Sequence, residues 1–305
     1  MLPAAEQPHA SDAELGTEAA HGMACMEIWG GNVATEQAVS TPGIDAYVYS
    51  KPYAGSEGGG DIHYVSLCSA GKIARFAVAD VAGHGAEVSE LAIRLRGMMR
   101  RYINTPDQAR FASELNAAFG GESQAGGGRF ATALLATYWA PTDHLIICNA
   151  GHPRPLWYRA SERRWTLMTE ESGLRADHAG GWSDDIGIRN LPLGILDPTD
   201  YTQSAFPLAK GDLVLIYTDS LTEATAPTGE MLGETGLLNL CAELDATRPE
   251  GFIEALLERV KHFRAAADSD DDVTALLLHH NAADVPRYSL AARAGMVLRM
   301  LGLRG

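Results

Sequence analysis

Positive charge is scarce in this chain. Lys and Arg number 24 against 39 Asp and Glu, giving a formal net charge of −15 and an isoelectric point near 5.0. Nucleic-acid binding needs basic patches that meet phosphates, and anionic lipid surfaces attract the same patches. Neither nucleic acid nor membrane is therefore an expected partner. The four cysteines, Cys25, Cys68, Cys148 and Cys241, form no CxxC pair. That argues against a zinc knuckle and leaves buried, reduced thiols as the expectation. No apolar run reaches the length that spans a bilayer. The opening stretch, MLPAAEQPHASDAELGTEAAHG, has neither the basic start nor the apolar centre of a signal peptide. A cytoplasmic location is expected.

Apolar material, by contrast, is ordinary: 46% of 305 residues are hydrophobic, enough for a real core. Residues 1–22 are small, polar and acidic, and are expected to form a disordered N-terminal tail. Beyond them short apolar runs recur. IDAYVYS, IHYVSLC, ARFAVAD, FATALLATYW, HLIICNA and DLVLIYTD have the length and residue types of strands. Helical periodicity marks 86–102, 107–119, 234–244 and 250–264. Thr105 before Pro106 is a plausible helix cap. GGESQAGGG at 120–128 and the stretch 169–190 are expected to be loops. Strands come in runs separated by helices, which predicts an α+β class rather than alternating βαβ units. No linker is visible inside 23–281, so one domain is expected there. The tail at 282–305 changes character, with Arg287, Arg293, Arg299 and Arg304 against Asp284 alone. Leu290, Ala294, Val297, Leu298 and Leu301 recur in it at helical spacing, so it reads as a basic segment and a possible helix.

Carboxylates stand where strands end. Asp61 follows three glycines and opens IHYVSLC, Asp80 closes RFAVA, Asp219 closes DLVLIYT, and Asp271 and Asp272 open VTALLL. A strand interior normally excludes Asp, and a buried carboxylate must be paired or must bind a metal. One such acid is an ordinary turn residue. Four recurrences at strand boundaries predict a shared site, where like charges would push the pKa values up unless a hard divalent cation offset them.

The ordered motifs GGGD (58–61), ADVAGHG (79–85), RFATAL (129–134), CNAGHPRPL (148–156), LPLGI (191–195), GDLVLIYTDSLTEA (211–224) and DDVTALLL (271–278) make the chain resemble the metal-dependent protein phosphatase superfamily. The likeness is to its bacterial branch of stage II sporulation protein E and sigma-regulator phosphatases, and it covers roughly 25–280. It implies an αββα sandwich of two antiparallel sheets flanked by helices. It also implies two Mn²⁺ or Mg²⁺ ions, with Asp80 bridging them and the Val81 carbonyl as a further ligand. Asp219 and Asp271 would complete one shell, and Asp61 would sit beside the second ion. Asp61, Asp80 and Asp219 would then be the catalytic acids. The implied activity is hydrolysis of phosphoserine or phosphothreonine, with a phosphorylated anti-sigma-factor antagonist as substrate. An inactive interaction module of the same fold and a small phosphomonoester hydrolase are the alternatives. Regulation is expected from a homodimer, from the tails or from a separate sensor partner. Ser220 stands where the family usually has glycine, which requires a backbone without positive φ. His84 is read either as a general acid or as a loop histidine near the site, and His152 as a structural one. Arg129 could meet a phosphate or simply lie on the surface.

Overall fold

Side chains alternate across a strand, and the parity of each strand decides which layer it serves. The computed structural model describes residues 26–53, 56–68, 72–83, 85–125, 128–175, 189–265 and 271–283. The strands are β1 (Met26–Gly31), β2 (Thr35–Thr41), β3 (Ile44–Lys51), β4 (Asp61–Cys68), β5 (Ile73–Val81), β6 (Ala131–Trp139), β7 (His144–Ala150), β8 (Leu156–Arg159), β9 (Arg164–Leu167), β10 (Leu174–Arg175), β11 (Ser204–Pro207), β12 (Leu213–Tyr217) and β13 (Val273–His279). The helices are α1 (Ala86–Tyr102), α2 (Gln108–Ala125), α3 (Gly233–Ala242) and α4 (Phe252–Phe263). One sheet runs β1-β4-β5-β6-β7-β11-β10 and the other β2-β3-β13-β12-β8-β9. Every strand pairing in both is antiparallel.

In β5, Ala77, Ala79 and Val81 face one way and pack under α1 and α2, while Phe76 and Val78 face the other sheet. β12 does the same on its side. Val214 and Ile216 point inward, and Leu213, Leu215 and Tyr217 pack outward with α3 and α4. The layers are helices, sheet, sheet, helices, as the resemblance implies. On α1 the buried residues Val88, Leu91, Ala92, Leu95 and Met99 form one stripe at helical spacing. A fully buried leucine such as Leu95 contributes about 1.5–3 kcal/mol. Among the described residues no helix is long and apolar enough to cross a membrane.

Several local expectations shift. The helix expected to end at 119 continues to Ala125, so part of the glycine-rich stretch 120–128 is helical. Its cap is Asp107, whose Oδ1 accepts from the Arg110 N–H at 3.0 Å. Thr105 instead donates to Glu114 at 2.9 Å. The strands β2, β8, β9 and β11 had no clear apolar signature: β2 is largely exposed, and the other three are four residues long. Cys148 and Cys241 are buried free thiols, both raised by burial. Cys68 is half of a disulfide rather than a reduced thiol, so cysteine usage no longer supports a reducing compartment.

Candidate active site

Inward-facing parity carries four carboxyl positions toward one end of the sandwich. In β5 the inward series 76, 78 continues to Asp80, and in β4 the inward series 65, 63 ends at Asp61. Asp61 and Asp80 are direct cross-strand partners. In the opposite sheet β12 leads through inward Thr218 to Asp219, and β13 begins just after Asp271 and Asp272. Because β12 and β13 pair antiparallel with Tyr217 opposite Ala275, Asp219 and Asp272 lie at the same end.

Hydrogen bonds tie the two sheets together there. The Thr218 hydroxyl donates to Asp61 Oδ2 at 2.9 Å and accepts from the Thr274 N–H at 3.0 Å. Asp272 clasps the glycine turn before β4: Oδ2 accepts from the Gly60 N–H and Oδ1 from the Tyr53 N–H, both at 2.6 Å. The glycines are sterically required. A methyl group at Gly59 would run into the Asp272 carboxylate, and one at Gly60 would lie 2.9 Å from the Val81 carbonyl oxygen. That carbonyl is thus held against the turn that presents Asp61. Asp219 opens a 3-10 turn, Asp219–Leu221, whose residues avoid positive φ, so Ser220 is accommodated where glycine is usual. The Arg264 guanidinium donates to the Ser220 carbonyl at 2.6 Å and braces that turn.

The electrostatics are those of crowded like charges. Burial, and then Asp80, holds the Asp61 carboxyl well above the usual range, against hydrogen bonds from Thr274 and Thr218 that pull the other way. Asp80 is pushed up to about 7 by burial first and then by Asp219, Asp271, Asp272 and Glu223. Asp219 rises to about 6 through burial, Glu223 and Asp271, with backbone N–H groups opposing. Like charges directly opposite each other on adjacent strands destabilise a sheet. The arrangement is therefore costly by itself and calls for a compensating cation. The donors are carboxylate and carbonyl oxygens, the set that suits Mg²⁺ or Mn²⁺. Among the described residues no three acidic, His or Cys groups already stand close enough to grip one ion. The site is thus a cluster of acids at one end of the sandwich, and its residues fit a hard divalent ion by donor type and by uncompensated charge.

Asp61, Asp80, Val81, Asp219 and Asp271 all come to this end. Asp61 is buried, Asp80 half-buried and Asp271 exposed at the rim. Thr218 and Glu223 join them, and Asp272, which the resemblance does not make a metal ligand, fixes the backbone. Thr218 had a signal in its inward parity after Val214 and Ile216. Arg129 lies over Gly83, beside the turn after Asp80, donating to the Ala82 carbonyl at 3.4 Å and to Glu87 at 3.3 Å. His152 is structural, as expected. It is buried, its Nδ1 lies 2.9 Å from the Thr132 hydroxyl, and its N–H donates to Asn149 Oδ1 at 2.7 Å. Burial lowers its pKa to about 3. His84 lies outside the described residues.

Residues 71–175 and 170–281 match the family model described as Stage II sporulation protein E (SpoIIE). No curated protein matches the chain in sequence. Among solved structures, the RsbU and RsbW domains of Rv1364c from Mycobacterium tuberculosis are 23% identical, with a TM-score of 0.63, covering 88% of this chain and 70% of that one. The PP2C phosphatase domain of SpoIIE from Bacillus subtilis, solved with a fragment of its regulatory domain, is 14% identical at a TM-score of 0.61, covering 80% and 70%. RsbX, solved in complex with magnesium, is 18% identical at a TM-score of 0.55, covering 80% and 99%.

Proposed function

The chain belongs to the Stage II sporulation protein E (SpoIIE) family of protein phosphatases, and on that premise we propose that it hydrolyses phosphoserine and phosphothreonine in signalling proteins at the acid-lined end of its sandwich. The observation that carries this is the convergence of Asp61, Asp80 and Asp219, all raised above the carboxylate range by burial and by one another. Asp80, the Val81 carbonyl, Asp219, Asp271 and Asp61 would together hold two divalent ions, with Asp219 and Asp271 serving one and Asp61 the other. When bound, such ions supply a water of lowered pKa as nucleophile and offset charge on the phosphoryl oxygens.

The chain's own residues do the positioning. Thr218 fixes the rotamer of Asp61 from the opposite sheet, and Asp272 locks the Gly59–Gly60 turn that presents Asp61. Arg264 braces the turn that carries Asp219. Arg129, close to the loop after Asp80, is placed to meet a phosphoryl oxygen on the substrate. Neither Cys148 nor Cys241 has the setting of a nucleophile, because burial raises both thiols and disfavours the thiolate. We take 23–281 as the phosphatase domain, with a phosphorylated anti-sigma-factor antagonist as the substrate class. A site with no cysteine nucleophile favours protein-bound phosphoserine over phosphotyrosine as the substrate to test first.

The test compares a phosphoserine protein, a phosphotyrosine peptide and a chromogenic phosphate ester, each with Mn²⁺, with Mg²⁺ and with chelator. Metal-dependent turnover that favours the phosphoserine protein is expected. Faster turnover of the phosphotyrosine peptide or of the small ester would overturn the substrate assignment, and no turnover of any substrate would leave an inactive interaction module.

A further inference from the structure

The outer face of the sheet that holds β12 and β13 is only partly covered by helices. Tyr47 and Tyr49 of β3 point to that face and are half-buried. Between β2–β3 and α4 runs a groove of about 560 Å³. Its rim is acidic. Glu36 comes from β2, and Glu250, Glu254 and Glu258 follow one another at four-residue intervals along α4 and the turn before it, so they share a face. Tyr47, Tyr49, Ile253 and Leu257 supply its apolar surface, and no Lys or Arg among the described residues lines it. The field is negative: burial, then Asp45 and Glu250, push the Tyr47 hydroxyl up to about 12, and burial with Glu36 raises Tyr49.

The chain delivers a matching segment to this groove. At the end of the described residues the Ala283 carbonyl accepts from the Gly43 N–H at 2.8 Å, and Asn281 Nδ2 donates to the Thr41 carbonyl at 3.2 Å. The polypeptide therefore leaves beside the β2–β3 hairpin. Thr41 pairs with Ile44 and Ala38 with Tyr47, so the groove begins three residue pairs along, about 10 Å away. Residues 284–305 lie outside the described residues. They carry four arginines and one aspartate, with Leu290, Ala294, Val297, Leu298 and Leu301 at helical spacing. A helix over 288–302 would be about 22 Å long, enough to run the length of the 12-residue α4.

We propose that the chain's own C-terminal segment, 284–305, docks as a basic amphipathic helix in the acidic, tyrosine-lined groove between β2–β3 and α4, extending the helical layer on that face. Its apolar residues cover Tyr47 and Tyr49, and Arg293 and Arg304, which flank the apolar stripe on one side, meet the glutamates of the rim. Exposed ion pairs contribute little one by one, so apolar burial supplies most of the attraction and the charges set the register. The proposal is independent of the phosphatase assignment.

Hydrogen exchange on the full-length chain tests it. Wild type is compared with a triple variant, Glu36→Lys with Glu254→Lys and Glu258→Lys, with Leu298→Asp, and with a chain joining the triple change to Arg293→Glu and Arg304→Glu. Circular dichroism confirms folding of each. In the wild type the amides of 288–302 should exchange at least about tenfold more slowly than in a free peptide of that sequence. The triple variant and Leu298→Asp should lose that protection, and the combined variant should regain it. Absent protection in the wild type, protection indifferent to these changes, or failure of the combined variant to regain it would overturn the proposal. So would protection that rises with protein concentration, because the segment would then be docking on a second copy.

Discussion

Thr218 is a single hydroxyl that joins both sheets at the candidate site, and its removal can be worked through. In Thr218→Val the side-chain shape persists. Asp61 Oδ2 loses its donor at 2.9 Å and the Thr274 N–H loses its acceptor at 3.0 Å. Thr218 is fully buried and Asp61 nearly so, so water does not replace either bond. A hydrogen bond to a carboxyl held toward its neutral form contributes about 0.5–1.5 kcal/mol and an orphaned buried amide costs about 1–3 kcal/mol, so the loss should be roughly 2–4 kcal/mol. At about 2–4 °C per kcal/mol for a domain of this size, the melting temperature should fall by roughly 5–15 °C. The bond also pulls the Asp61 carboxyl down against burial, so without it Asp61 ionises at higher pH. The acid limb of kcat/KM measured at subsaturating Mn²⁺, where protons compete with the metal, should therefore move upward. Thr218→Ser keeps the hydroxyl and should restore both properties. Thermal unfolding in chelator and a pH–rate profile are the assays. A Thr218→Val chain with wild-type stability and an unmoved acid limb would refute the reasoning.

Three further outcomes are expected. Asp80, raised from 3.8 to about 7, makes the folded metal-free chain bind more protons than the unfolded one. Stability in chelator should thus rise as pH falls from 8 through 7, and Asp80→Asn should weaken that dependence and gain up to about 4 kcal/mol at pH 8, read by urea unfolding. His63 is lowered to about 4 by burial and then Arg96. The unfolded chain binds its proton first, so stability is lost as pH falls from 6.5 toward 4, by up to about 3 kcal/mol, and His63→Leu should flatten that limb in a melting series. Gly59→Ala drives a methyl into the Asp272 carboxylate. It should destabilise by roughly 1–3 kcal/mol and lower kcat, and a variant with wild-type stability and kcat would show that the turn has room.

The layered fold was legible because the long central strands alternate cleanly. ARFAVAD sends Phe76 and Val78 to one side and Ala77 and Ala79 to the other, and Asp80 continues the inward series. The same parity, once two sheets are assumed, puts Asp61 and Asp80 at one end, although their direct pairing depends on a register that only the structure fixes. Thr218 escaped notice because Thr-Asp-Ser reads locally as a turn, and its role lies in a bond to a residue 157 positions away. The division of labour between Asp271 and Asp272 was equally hidden, since neighbouring acids look alike until one is seen to clasp Gly60 and the other to stand exposed. The glycine-rich end of α2 misled because helix propensity is a weak prior that tertiary packing overrides.

Hydrolysis of a phosphoserine protein by wild type and Asp80→Asn across a Mn²⁺ titration, with circular dichroism alongside, bears most directly on the acid cluster as a two-ion phosphatase centre. Activity should rise from zero with metal, vanish in excess chelator, and fall by at least about 10²–10³ in a folded Asp80→Asn chain, since each ion contributes several kcal/mol to the transition state. Full activity in excess chelator, or a near-normal rate from well-folded Asp80→Asn, would contradict it.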